Sequence, residues 1–166
     1  MNSNLVFDFS VDKENKTITV KREFAAPLQK VWAAWTQSEL LDQWWAPKPW
    51  KAETKTMDFK TGGYWLYAMV GPNGEKHWSS ADFKSVDPQK SFSARDAFTD
   101  ENGTVNNDMP RSNWTNTFSS NGDSTMVNIA IKYDKLEDLE GIIKMGFKEG
   151  FTMGLGNLDE LLASQK

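Results

Sequence analysis

Apolar residues near the C-terminus recur every three or four positions: Leu139, Ile143, Phe147, Phe151, Leu155 and Leu158, then Leu161 and Leu162. That is the spacing of one helical face, and it predicts a single long helix over Lys135 to Ser164. Upstream the period changes. Asn4 to Val11 and Thr17 to Phe24 alternate around Asp12-Lys13-Glu14-Asn15 and predict a hairpin. Pro27 then opens a helix with Leu28, Val31, Trp32 and Trp35 on one face. Ser38 is the expected N-cap of a second, short helix carrying Leu41, Trp44 and Trp45, which Pro47 and Pro49 stop.

From Trp50 to Tyr133 the pattern is that of successive strands: Trp50 to Phe59, Tyr64 to Val70, Lys76 to Val86, Ser91 to Phe98, Asn113 to Phe118 and Thr125 to Tyr133. Turn residues such as Gly62-Gly63, Gly71-Pro72-Asn73-Gly74 and Ser120-Asn121-Gly122 separate most of them, and Thr99 to Arg111 reads as an exposed loop. Hairpins interrupted by two early helices and closed by one late helix predict an α+β fold, with an antiparallel sheet and the helices gathered on one side.

Five of the eleven glycines fall in the predicted C-terminal helix. At about 1 kcal/mol each against Ala, they cost it roughly 3 to 5 kcal/mol of intrinsic propensity, which packing must offset. Gly146, Gly150 and Gly154 lie four apart on the face of Ile143 and Phe147, so the buried side of the helix is bare. Either strands pack closely there or a ligand lies between helix and sheet. Glu140, Lys144, Lys148 and Glu149 interrupt any run long enough to span a bilayer.

Composition narrows the partners. The 166 residues suit one domain, and no linker-like tract divides them. A net charge of −4 argues against nucleic acid or an anionic membrane. The chain has no cysteine, hence no disulfide or thiolate site, and the N-terminus lacks a secretory pattern, so the cytoplasm is expected. Aromatics make up 13%, eight of them Trp, against a mean hydropathy of −0.62. Large rings therefore fill or line an interior under a polar surface.

The Pro27-to-Trp35 helix, Trp44-Trp45, Gly62-Gly63-Tyr64-Trp65, GPNGEKHW (71 to 78), VDPQKSF (86 to 92), DAFTDENG (96 to 103) and MGFKEGF (145 to 151) occur in this order. Together they resemble the domain homologous to the C-terminal half of the activator of the heat-shock-protein-90 ATPase, a family of the START-related, polyketide-cyclase-like (SRPBCC) superfamily. The likeness covers about residues 16 to 164; Gly156 departs from it, where family members often carry an acidic residue. It implies a helix-grip fold, a curved sheet wrapped around the C-terminal helix with an internal cavity. It also implies binding of hydrophobic or aromatic small molecules. The activator's chaperone-stimulating half is a separate domain with no counterpart here.

Candidate chemistry is sparse. The one histidine, His77, follows a hairpin turn beside Lys76 and is expected at a rim; with no cysteine it argues against a transition-metal site, and no cofactor is expected. Asp58, Asp82, Arg95 and Asp96 lie within strands, and the alternation Phe92, Ala94, Asp96, Phe98 turns Asp96 inward. Asp96 and His77 are thus the weak catalytic candidates. The expected cavity lining is Trp45, Phe59, Trp65, Tyr67, Met69, Trp78, Asp96 and Phe98. Trp114, Phe118, Phe147, Gly150, Phe151 and Gly154 complete it, with ordinary core packing as the alternative for each. The leading expectation is a hydrophobic-ligand-binding protein; a cyclase- or hydrolase-type enzyme in the same cavity is the second. A chaperone-associated module using Trp44 to Trp50 is the third, and homodimerisation through an edge strand or that segment stays open.

Overall fold

The computed structural model describes residues 5–164. Eight antiparallel strands form one sheet in the order β1-β2-β8-β7-β6-β5-β4-β3. They are β1 (Phe7–Asp12), β2 (Thr17–Phe24), β3 (Lys51–Asp58), β4 (Tyr64–Val70), β5 (Lys76–Asp87), β6 (Ser91–Thr99), β7 (Ser112–Asn121) and β8 (Ser124–Tyr133). The expected hairpin is β1–β2, with Asn4 outside the described residues.

Register irregularities fall between Thr54 and Thr56 in β3 and between Phe83 and Ser85 in β5, in the half of the sheet made by β3 to β6. An extra residue on one strand raises local twist and kinks the ladder, which adds to the curvature of the sheet. Alternation turns one side of β2 and β8 into the core, where Ile18 and Val20 in β2 and Val127, Ile129 and Ile131 in β8 are wholly buried, while the middle of β4, Trp65 to Ala68, is buried on both sides.

The early helices are α1 (Leu28–Thr36) and α2 (Ser38–Trp44). Pro27 immediately precedes α1, as its fixed φ favours. Ser38 does not cap α2: Gln37 holds that position, and the Ser38 hydroxyl is 3.2 Å from the Glu39 carboxylate. The two helices are joined at their apolar faces, where the rings of Trp35 and Trp44 meet edge to face at 4.9 Å and the Trp44 indole donates to the Ala34 carbonyl at 2.9 Å.

The C-terminal run is two helices, not one: α3 (Leu136–Lys144) and the 18-residue α4 (Phe147–Ser164). Gly146, at φ +94°, separates them. A glycine just past a helix end takes the left-handed conformation at little cost and closes the last turn, here with its N–H donating to the Ile143 carbonyl at 3.0 Å. The periodicity runs through the break because both helices turn apolar faces to the sheet, so period alone did not show it. No described helix is long and apolar enough to cross a membrane.

Candidate functional site

Between the sheet and the helices lies a cavity of about 70 Å³. Its wall is aromatic: Trp35 and Trp45 come from the helical side, Trp65 and Tyr67 from β4, Phe83 from β5, Phe92 from β6 and Trp114 from β7. Ala81 and Ala94, small residues among large ones, leave the space.

Each ring is held by a neighbour. Trp65 and Tyr67 stack at 4.0 Å, and the bulged part of β3 fixes the first: the Trp65 indole donates to the Thr54 hydroxyl at 3.0 Å, which in turn donates to Asp42 at 2.6 Å. Tyr67 accepts from the Trp45 indole at 3.0 Å. Burial pushes the Tyr67 hydroxyl up to about 12, against the Trp45 bond that favours its anion, so it remains a neutral phenol. Trp45 also meets Trp114 at 5.9 Å and Phe151 of α4 at 6.1 Å. Aromatic pairs in stacked or edge-to-face arrangements add about 0.5–1.5 kcal/mol each beyond area burial.

Asp96 is the carboxylate of the cavity wall. Its Oδ1 accepts from the Ser112 N–H and hydroxyl, both at 2.7 Å, and its Oδ2 from the Trp114 indole at 3.2 Å. Desolvation raises its pKa above the ordinary carboxylate value, opposed by the bonds from Ser112 and Trp114. Tyr133 nearby is raised as well, first by burial and then by the Asp96 charge. Chemically, this corner of the cavity can hold a proton or accept a donor.

Of the expected lining, Trp45, Trp65, Tyr67, Asp96 and Trp114 meet around the cavity. Phe59 and Phe118 pack beyond it, in a cluster with Trp32 and Phe92. Phe147 and Phe151 stack on each other at 5.3 Å and back Trp114 from α4. Met69 and Phe98 are partly buried against the core. Trp78 lies on the other face: it pairs with Ala68 across β4, whereas Tyr67 pairs with Ser79, and it carries the ammonium groups of Lys55 and Lys76 at 5.8 and 6.0 Å.

The glycine face of α4 is covered by protein. A Cβ at Gly154 would sit 3.4 Å from the carbonyl oxygens of Trp44 and Trp45, and one at Gly150 would meet Pro47 at 3.9 Å. The buried Asn157 side chain donates to the Ala46 carbonyl at 3.1 Å and ties the same segment to α4. The bare face therefore serves close approach of the Trp44–Pro47 backbone, and the cavity lies on the far side of Trp45.

His77 is exposed, against Trp50 at 5.4 Å. Arg95 pairs with Asp134 at 2.9 Å, Asp82 with Arg111 at 3.4 Å and Asp58 with Lys60 at 3.4 Å, away from the cavity. Trp44 is 1% exposed and Trp45 half-buried, so the segment where a chaperone-docking patch would have to lie turns these rings inward.

Sequence reasoning missed Trp35, Phe83, Phe92, Asn116 and Ala94 as wall residues. One was within reach: Asn116 falls between Trp114 and Phe118 on an alternating strand, which places an amide among inward rings.

The family model for "Activator of Hsp90 ATPase homolog 1-like protein" matches residues 25–163. Among solved structures, the chain resembles a Mycobacterium smegmatis protein at 32% identity and a TM-score of 0.86, over 95% of this chain and 96% of that one. An Arthrobacter aurescens protein matches at 26% identity and a TM-score of 0.89, over 95% and 91%. The Micromonospora echinospora protein CalU16, at 18% identity and a TM-score of 0.62 over 98% and 77%, shares the fold alone. No curated protein matches.

Proposed function

This chain belongs to the Activator of Hsp90 ATPase homolog 1-like family, a helix-grip fold of the START-related superfamily, and from that premise we propose that it binds a small, mainly apolar molecule in the cavity between sheet and helices. It does so as one domain, in the cytoplasm. The observation that carries the reading is the ring-lined void itself: at about 70 Å³ it exceeds the room one water needs, and its wall is held open by Ala81 and Ala94. Ligand pockets usually run from about 300 Å³ upward, and an apolar cavity of about 150 Å³ takes benzene. At about half the volume that takes benzene, the resting space admits a single-ring molecule only as the wall moves, and a sterol or long lipid does not fit it.

Native mass spectrometry of protein purified without denaturation tests this, alongside Ala94→Leu, which fills the void opposite Trp114. A small molecule retained by the wild type and lost in that variant, with circular dichroism unchanged, is the expected result. Equal retention by a folded Ala94→Leu overturns the reading.

One observation favours an enzyme as second reading: Asp96 combines a raised pKa with a place in the cavity wall. A pH–rate profile abolished by Asp96→Asn would identify it as the acid or base, whereas full activity in that variant removes it.

A further inference from the structure

Asp96 is the one carboxylate among the residues lining the aromatic cavity, and like Trp45 and Trp114 it is only partly buried. Among the described residues the donors that reach it are uncharged: the Ser112 N–H and hydroxyl on Oδ1, and the Trp114 indole on Oδ2. The backbone N–H and the indole can only donate, which suits a carboxylate rather than a carboxylic acid. The neighbouring cations are engaged elsewhere. Arg95, on the opposite side of β6, pairs with Asp134 at 2.9 Å. Arg111 donates through Nε to the Asp96 main-chain carbonyl at 3.1 Å, and its Nη2 pairs with Asp82 at 3.4 Å. Burial opposes the charge on Asp96. An ionised group without a counter-ion in such a wall is costly, and a positive guest would relieve that cost.

The rings suit the same guest. Trp65 stacks on Tyr67 at 4.0 Å, and Trp45 meets Trp65 at 5.6 Å and Trp114 at 5.9 Å. Aromatic rings attract cations most strongly where water is excluded, and cages of several rings hold methylated ammonium groups in this way. The other polar groups of the wall add no charge. The Trp45 and Trp65 indoles are bonded to the Tyr67 and Thr54 hydroxyls. Asn116 Oδ1 and Trp35 Nε1 lack partners, but their residues are neutral and 2% and 3% exposed, so they present almost no surface to a guest.

We propose that the cavity's ligand carries a methylated ammonium group, held with its charge against the Asp96 carboxylate and its methyls among Trp45, Trp65, Tyr67 and Trp114. This names a chemical class for the ligand-binding reading above and rests on it. An anion would face Asp96, and a hydrocarbon would bury the carboxylate further with nothing to balance it. A bare ammonium ion lacks the apolar surface that the rings serve.

Tetramethylammonium and tert-butanol test this, being compact tetrahedral species with the same number of heavy atoms, of which only the first is charged. In calorimetric titrations of the wild-type protein at neutral pH, tetramethylammonium should bind about tenfold tighter or more. It should also move the Trp114 indole N–H resonance in ¹⁵N-edited NMR spectra, because that N–H shares Asp96 with the guest. Asp96→Asn, which keeps the shape and removes the charge, should erase the preference. If that variant does not fold, the wild-type comparison and the Trp114 signal decide. Tert-butanol binding as tightly as the cation or tighter overturns the inference. So does a folded Asp96→Asn that keeps the preference, or tetramethylammonium binding without moving the Trp114 signal; in each case the cavity still takes ligands. Binding of neither compound also overturns it, and the reading beneath it is then decided separately, by what wild type and Ala94→Leu retain in native mass spectra.

Discussion

Gly154 of α4 faces the backbone of Trp45 so closely that a Cβ would stand 3.4 Å from the Trp45 carbonyl oxygen. This contact explains one of the helix's costly glycines: Gly154 admits the chain that carries two of the core tryptophans. The cost and the benefit separate by position. Gly150→Ala meets only Pro47, at 3.9 Å, and should stabilise the protein by about 1 kcal/mol through helix propensity. Gly154→Val must push on a carbonyl backbone and should cost about 1–3 kcal/mol. Denaturant unfolding of the two variants checks the contrast; a Gly154→Val as stable as wild type would mean the close approach does not matter.

Asp96 should leave a mark on the pH dependence of stability. Its folded pKa is raised above 3.8, chiefly by desolvation, so the folded chain holds that proton more tightly than the unfolded chain. The stability it contributes is full at pH values below the unfolded pKa, falls as pH rises through the folded one, and is level above. Melting wild type and Asp96→Asn side by side from about pH 3 to 7 should give a difference that declines with rising pH. A difference that climbs instead would mean that the bonds from Ser112 and Trp114 outweigh burial.

Glu23 has the opposite sign. Its carboxylate accepts from the Ser124 hydroxyl at 2.5 Å, from the Val6 N–H at 3.2 Å and from Asn121 at 3.2 Å, and these bonds, Ser124 first, hold its pKa below 4.5. The stability it contributes is present above the unfolded pKa and is lost as pH falls through the folded one. Glu23→Gln should therefore be less stable than wild type at neutral pH, with the gap closing on acidification. A gap independent of pH would refute the assignment.

Period and turn chemistry were enough to determine much of this protein. Alternating strands, the Pro27 helix start and the paired turns around Gly71 to Gly74 are local properties, written in the order of neighbouring residues, and they place the elements to within a few positions. The inward turn of Asp96 was legible for the same reason, since alternation along one strand settles which side a residue takes.

What the tertiary structure decided are the relations between elements. The sequence showed a bare helix face and could not say what covers it; the answer, the Trp44–Pro47 backbone, lies more than a hundred residues away in the chain. Trp78 and Trp65 are alike as residues, and only cross-strand register sends one outward beneath two lysines and the other into the wall. Whether Asn116 and Trp35 find partners depends on every ring packed around them. A local pattern fixes which way a side chain points, because the backbone geometry repeats; what it then meets is set by segments brought together on folding.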